Sequence, residues 1–358
     1  MTRRVLIVRL DSMGDVLVSG PAVRAVAATG AEVVLLAGPD GAAAARLLPG
    51  VAEVLVWNCP WIVADPPPVE AAELAAVADR VRSLDCAEAL VLTSFHQSAL
   101  PTALLLRLAG IGRIAACSTD YPGALLDLRI AEPADAPEPV RMLRIAEVAG
   151  YRLPPGDLGD LRVRLAPVEL PPLPAGYLVL HPGAAAPART CSPDHWATLG
   201  RALVEAGWPL ALTGSAAEAG LTADLASRLG AASGVLDLAG RLDLPQLAGL
   251  LAGAAAVVVG NTGPAHLAAA VGAPVLSLFA PVVPASRWAP FTNRLALLGD
   301  QHASCAGSRA RQCPVVGHPC LDRVTGDQLL TALAGLVSAP PATSTVTSTL
   351  TSALREAV

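Results

Sequence analysis

Short uninterrupted apolar runs alternate along the chain with longer segments whose apolar positions recur at helical spacing. Val5–Val8 opens the pattern, followed by the polar, glycine-containing loop Asp11-Ser12-Met13-Gly14-Asp15 and a helical stretch reaching about Ala28. Glu32–Ala37 is the next apolar run, and Val54–Trp57, Ala89–Thr93 and Arg113–Ala116 follow. Helical patterns occupy about 69–84, 98–109 and 139–149. Runs of four to six apolar residues without polar alternation have no water-facing side. They fit the strands of a parallel sheet covered by helices on both faces.

Residues 166–176 (APVELPPLPAG) are proline-rich and without period, which marks a linker. Beyond it the alternation restarts. Tyr177–Leu180, Pro209–Thr213, Val235–Leu238, Ala256–Val259 and Val275–Phe279 are expected strands, with helices near 194–206, 217–229, 244–253, 264–271 and 325–337. The predicted class is therefore α/β, with two doubly wound parallel-sheet domains over 1–165 and 177–337. The tail 338–358, with its Ser/Thr/Ala/Pro-rich stretch Ser338–Ser352, has no core-forming pattern and is expected to be mobile. Sheets of this kind bind ligands at the carboxyl ends of their strands, and two that face each other enclose a cleft.

Composition sharpens the reading in three places. The chain of 358 residues is 53% hydrophobic, enough for two buried sheets and incompatible with disorder. The span Leu244–Ser286 has no charged residue, but its prolines, glycines, Asn261 and His266 break any run long enough to cross a membrane. All 25 basic residues are arginine, which excludes lysine chemistry such as a Schiff base. The net charge of −5 is spread evenly and leaves no basic nucleic-acid surface. Arg9 and Asp11 cut the apolar opening short of a secretory signal. Seven cysteines then read as reduced thiols of a cytoplasmic protein.

The candidate chemistry lies where strands end. The segment Gly260-Asn261-Thr262-Gly263-Pro264-Ala265-His266 follows a buried strand and opens a helix, with Thr262 able to cap and Pro264 suited to the first turn. Free amides and the positive dipole end of such a helix suit phosphate, although a plain well-capped turn has the same pattern. Arg189 lies on the loop His181-Pro182-Gly183-Ala184 to Thr190, from which a guanidinium can clamp phosphate oxygens. Glu218, after Thr213-Gly214-Ser215, can accept ribose hydroxyls or simply complement a helix dipole. Asp15 is a candidate proton acceptor, with Asp11 as the competing carboxylate. No Asp-x-Asp pair occurs at these strand ends to bridge a diphosphate through a metal. Cys305, Cys313 and Cys320, with His318 nearby, lack zinc-site spacing and are expected to be structural thiols. The dinucleotide glycine fingerprint is absent from both opening strands, which argues against a dehydrogenase.

Taken in order, VLIVRLDSMGDVLVSGP (Val5–Pro21), His181–Trp196, the Leu212–Glu218 turn, Asp237–Gly240, GNTGPAHLAAAVGAPVLSLFAP (Gly260–Pro281) and Gly317–Leu321 resemble glycosyltransferase family 9, the ADP-heptose:lipopolysaccharide heptosyltransferases. The resemblance covers the first thirty residues and most of 177–337, and is thin between about 40 and 165. It implies the GT-B fold of two facing Rossmann-like domains, acceptor site first and nucleotide-sugar site second. It also implies an inverting, metal-independent transfer of a heptose or related sugar from an ADP-sugar to a glycan or glycolipid hydroxyl, without a cofactor. By position, Asp15 takes the catalytic-base role. Arg189, Asn261, Thr262, Gly263, Pro264 and His266 take the diphosphate, and Glu218 takes the ribose. His181, Gly183, Thr213 and Gly214 line the strand ends beside the donor. Arg189 stands where the family commonly has lysine, Asn261 where many members have aspartate, and Cys191 where tryptophan is frequent. The implied partners are the donor and the glycan acceptor. Membrane contact would be peripheral, through the acceptor alone. Two other functions suit the same architecture: a nucleotide-sugar epimerase, which needs no acceptor, and a two-lobed protein that binds a sugar nucleotide without chemistry.

Overall fold

The computed structural model describes residues 3–63, 65–132, 135–230 and 234–337. The tail 338–358, expected to be mobile, lies outside the described residues. Two six-stranded sheets account for the alternation, and every strand pairing in them is parallel. The first holds β1 (Arg4–Arg9), β2 (Glu32–Ala37), β3 (Val51–Val56), β4 (Glu88–Val91), β5 (Arg113–Cys117) and β6 (Leu128–Ile130), in the order β3-β2-β1-β4-β5-β6. The second repeats that order with β7 (Leu178–His181), β8 (Leu210–Leu212), β9 (Val235–Asp237), β10 (Ala256–Gly260), β11 (Val275–Leu278) and β12 (Leu295–Leu298). Both are Rossmann sheets, and the order reverses beside β1 and beside β7, where such sheets leave a crevice.

β6 and β12 were not expected from the sequence. Both are edge strands: Leu-Arg-Ile is short and centred on an exposed arginine, and Leu-Ala-Leu-Leu is apolar but only half-buried. The first helical stretch is also divided, into α1 (Met13–Leu17) and α2 (Gly20–Ala27), with Pro21 in the first turn of α2. The other helices of the first half are α3 (Pro39–Leu47), α4 (Ala71–Ser83), α5 (Leu100–Leu108) and α6 (Glu138–Val148). The second half carries α7 (Pro193–Glu205), α8 (Ala219–Leu229), α9 (Leu244–Gly253) and α10 (Gly263–Ala270). α11 (Ala285–Trp288), α12 (Pro319–Asp322) and α13 (Gly326–Ala334) complete it.

One apolar core joins the inner faces of the two sheets, running from Val5, Ile7 and Leu35 to Val179, Val257 and Val259. The outer faces have cores of their own, Val77, Val81 and Leu106 in the first half and Trp196, Leu203 and Leu225 in the second. The halves meet where α1 touches α10 and α3 touches α9. The strand-end loops of both sheets therefore face one another. The proline-rich residues 166–176 form neither helix nor strand, and the segment leading into them is strapped down. Arg24 holds Asp157 through two hydrogen bonds of 2.6 and 2.9 Å, and the Arg164 amide donates to the Leu47 carbonyl at 2.7 Å. Val168 then packs against α9, where a Cβ on Gly249 would come within 2.6 Å of its methyl group.

Candidate nucleotide-sugar site

On the first-domain side, β1 ends in Arg9, a fully buried guanidinium that follows the apolar run Val5–Val8. Its Nη2 donates to Asp15 Oδ1 at 2.7 Å and to Ser94 Oγ at 3.0 Å, while its Nε pairs with Asp11 Oδ2 at 3.1 Å. Ser12 Oγ donates to the other oxygen of Asp15 at 2.7 Å. Burial would raise the Asp15 carboxyl, but the charge and hydrogen bond of Arg9 and the Ser12 hydroxyl outweigh it, and its pKa moves below the ordinary value. Asp11 moves the opposite way, raised by its own burial and by the neighbouring Asp15 charge despite Arg9 and a 2.6 Å hydrogen bond from Gln97. The two carboxylates thus divide: Asp15 holds its charge, and Asp11 is the one that retains a proton more readily.

Across the cleft, β10 delivers Asn261 and α10 begins at Gly263. A Cβ on Gly14 would lie 3.0 Å from the His266 ring and 3.3 Å from the Gly263 Cα, so α1 and the start of α10 approach as closely as glycine allows. Thr262 stands at the N-cap of α10, but its side chain makes no cap hydrogen bond, contrary to its expected capping role. The Thr262 hydroxyl therefore caps nothing, while Pro264 has no N–H to cap and the Ala265 amide donates to the Thr262 carbonyl at 3.1 Å. The Arg189 loop lies against this turn, with the Asn261 amide donating to the Arg189 carbonyl at 3.1 Å. Thr190 fastens the loop by donating to the Pro182 carbonyl at 2.7 Å.

Three nitrogens here have no partner although their atoms are buried: Arg189 Nε, Asn261 Nδ2 and His266 Nδ1, the last a donor in the tautomer protonated there. Burial pushes the His266 imidazole down to about 4, against the pull of Asp15, so it is neutral at pH 7. Burial also lowers the Arg189 pKa, and the charges of Arg309 and Arg311 add to the effect while Asp15 opposes it. Buried donors without acceptors cost about 1–3 kcal/mol each and are rare in folded proteins. Three of them around one helix start, with like charges crowded beside them, form a receptor for an anion.

A second group adjoins the first at the ends of β7 and β8. His181 Nδ1 is hydrogen-bonded to Thr213 Oγ1 at 2.9 Å, and burial keeps the ring neutral. Glu218 Oε2 accepts from the Ser215 amide at 2.7 Å and hydroxyl at 2.9 Å, so this carboxylate does close a capping box. Any side chain on Gly183 would collide with Glu218 Oε1, which therefore lies over the Gly183 backbone. A Cβ on Gly214 would also touch the Glu218 side chain, at 3.1 Å. The structure thus gathers Glu218, His181, Thr213, Gly183 and Gly214 in one place, and gathers Asp15, Arg189, Asn261, Thr262, Gly263, Pro264 and His266 in another directly beside it.

Sequence reasoning missed several cleft residues. Arg9 was legible as a charge within a buried run, but only as an interruption. Phe95 is stacked under Arg287 (4.6 Å) and Arg309 (5.6 Å), which bridges the two halves, and nothing local in the sequence announces it. The neighbouring His96 is pushed down to about 4 by burial and by Arg309. Of the cysteines with candidate spacing, Cys305 and Cys320 are buried in the outer core and Cys313 is half-buried.

Residues 156–317 match the family described as Glycosyltransferase family 9 (heptosyltransferase). Lipopolysaccharide heptosyltransferase 1 of Pseudomonas aeruginosa is 36% identical over 198 residues, 52% of this chain and 54% of that protein. The chain thus aligns with about half the length of this curated relative. Among solved structures, E. coli ADP-heptose lipopolysaccharide heptosyltransferase II matches with a TM-score of 0.74 at 21% identity, over 93% of this chain and 98% of the other. A glycosyltransferase family 9 protein of Veillonella parvula gives 0.73 at 12% over 93% and 97%, and E. coli heptosyltransferase WaaC, solved with ADP, gives 0.68 at 20% over 93% and 100%. At these identities the structural likeness speaks for the fold, two facing Rossmann-like domains in the GT-B arrangement.

Proposed function

From the premise that its segment 156–317 belongs to glycosyltransferase family 9, we propose that this protein is a cytoplasmic heptosyltransferase. It moves a heptose from an ADP-sugar to a hydroxyl of a lipopolysaccharide-core-like glycolipid. The observation that carries the reading is the set of unpartnered donors at Arg189, Asn261 and His266, set opposite an ionised Asp15.

The donor diphosphate lies at the start of α10, accepting hydrogen bonds from Asn261, His266 and the Arg189 guanidinium. Glu218 receives the ribose hydroxyls through the oxygen over Gly183. Asp15 faces this group from the first domain, so acceptor and leaving group lie on opposite sides of the anomeric carbon. Asp15 takes the proton of the acceptor hydroxyl as its oxygen bonds to that carbon, and the bond to the diphosphate breaks. The configuration inverts in this single displacement. Negative charge growing on the departing ADP meets donors already in place, where no reorganisation is needed. The neutral His266 can donate without competing for the proton that Asp15 accepts. No metal takes part in this displacement. Among the described residues no helix is long and apolar enough to cross a membrane, and a membrane-held acceptor would be reached from the surface.

The reading is tested by incubating the purified protein with ADP-heptose and a heptose-deficient lipopolysaccharide core and following the acceptor by mass spectrometry. A gain of one heptose is expected. Asp15→Ala is expected to lower transfer by about 10²–10⁴-fold, the usual worth of a positioned base, with ADP affinity unchanged. No transfer by the parent protein, or an undiminished rate in the variant, would overturn the acceptor or the base assignment respectively.

A further inference from the structure

The chain bends from the Arg189 loop into α7 through Cys191 and Ser192, and α12 ends against that bend at Asp322. Cys191, His195 and Asp322 offer one sulfur, one nitrogen and one oxygen, all lying within 4.8 Å of one another. Cys191 is buried, and His195 and Asp322 are half-buried. His195 Nε2 is a buried atom without a hydrogen-bond partner. The neighbouring backbone fixes two of the three. Ser192 Oγ accepts from the His195 amide at 3.2 Å, setting the first turn of α7, and the Ser192 amide donates to Asp322 Oδ1 at 3.1 Å. The second oxygen of Asp322 has no protein hydrogen bond among those the structure records.

We propose that Cys191, His195 and Asp322 form a binding site for one zinc-class divalent cation. The donor set carries the choice. A thiolate with an imidazole selects a borderline-soft ion over magnesium or calcium, which prefer oxygen alone. Three protein ligands leave the fourth tetrahedral position to water. Binding replaces the Cys191 thiol proton with a sulfur–metal bond and releases that proton to solvent. This set differs from the Cys305, Cys313 and Cys320 trio to which sequence spacing draws attention. It also lies outside the transfer chemistry, since Cys191 belongs to the apolar cluster around Trp196 and Cys320. Its effect is to staple α12 to the loop that carries Arg189, two residues before the sulfur ligand. The site stands whether or not the protein transfers heptose.

The test uses the full chain, stripped with a chelator and reloaded with zinc or cobalt(II). One equivalent of zinc should remain after desalting. Cobalt should give a thiolate charge-transfer absorption, and zinc should raise the melting temperature. Cys191→Ser should abolish the cobalt band. His195→Gln, which breaks no recorded side-chain hydrogen bond and so preserves the fold, should lose stoichiometric zinc and its thermal shift. Cys313→Ser should retain both. Absence of metal binding in the parent protein, or binding that survives both Cys191→Ser and His195→Gln, would overturn the proposal.

Discussion

Asp15 and His266 lie opposite one another, and their protonation follows from burial and from which charges are nearest. Arg9 is the deciding neighbour for the carboxylates. It meets Asp15 through a 2.7 Å hydrogen bond and Asp11 through its Nε, while Ser12 adds a second hydrogen bond to Asp15 alone. Asp15 therefore keeps its charge well into acid, and its side chain is the one that faces His266 and Arg189. His266, whose pKa is likewise lowered by folding, acts in the same direction over a higher pH range. Unfolded, its imidazole takes a proton near the ordinary 6.5, whereas the buried ring refuses one until about 4. Between those values the unfolded chain binds more protons, so stability falls as pH falls, by up to about 1.4 kcal/mol per pH unit for this one ring. Denaturant titrations between pH 7 and 4.5 should show that loss, and His266→Gln should flatten the slope by the same amount. An unchanged slope in the variant would place the acid sensitivity elsewhere. The type and spacing of the polar strand-end residues were legible in the sequence. The role of Arg9 was not, because a lone arginine in an apolar strand gives no sign of which carboxylates it will meet.

At the level of elements, the donor side depends on how closely the Arg189 loop lies on β10. A Cβ on Gly260 would lie 2.8 Å from the Arg189 carbonyl oxygen, a backbone atom that cannot rotate away. Gly260→Ala should therefore displace the loop, lowering stability by about 1–3 kcal/mol. ADP affinity measured by calorimetry should fall with it, since the guanidinium moves with its backbone. Gly220→Ala in α8 is the contrasting case. No atom lies within 4 Å of the added methyl, and the helix should gain about 0.5–1 kcal/mol with ADP affinity unchanged. Affinity that survives Gly260→Ala would mean that Arg189 does not hold the nucleotide. Central strands such as β1 and β10 were plain from their uninterrupted apolar runs. β6 was hidden because three residues centred on Arg129 carry no apolar run, and the four-residue run of β12 is too short for its period to tell strand from helix.

Across the whole molecule, the segment leading into the proline-rich residues 166–176 carries one of the firmest polar contacts. Arg24 and Asp157 are nearly buried and doubly hydrogen-bonded, and Arg24 draws the Asp157 carboxyl down to about 2. Removing one partner strands the other charge, so Asp157→Ala should cost about 3–5 kcal/mol in chemical denaturation. The proposed transfer draws on both domains, since Asp15 and the α10 loop come from different sheets. ADP should accordingly raise the melting temperature more than UDP or NAD does. A larger response to UDP would exclude an adenosine-diphosphate donor. The sequence alone determined the class of fold, the division into two repeats of one pattern, and the strand-end residues, because periodicity and turn chemistry act over a few neighbouring positions. Tertiary structure alone decided which of those residues meet. It set Asp15 against His266, left Arg189 Nε, Asn261 Nδ2 and His266 Nδ1 without hydrogen-bond partners, and brought Cys191 and His195 to Asp322 across 127 residues or more. Those contacts depend on the docking of α1 on α10 and on the Ser192 amide at the start of α7 holding Asp322, and packing between elements so distant in the chain leaves no local pattern to read.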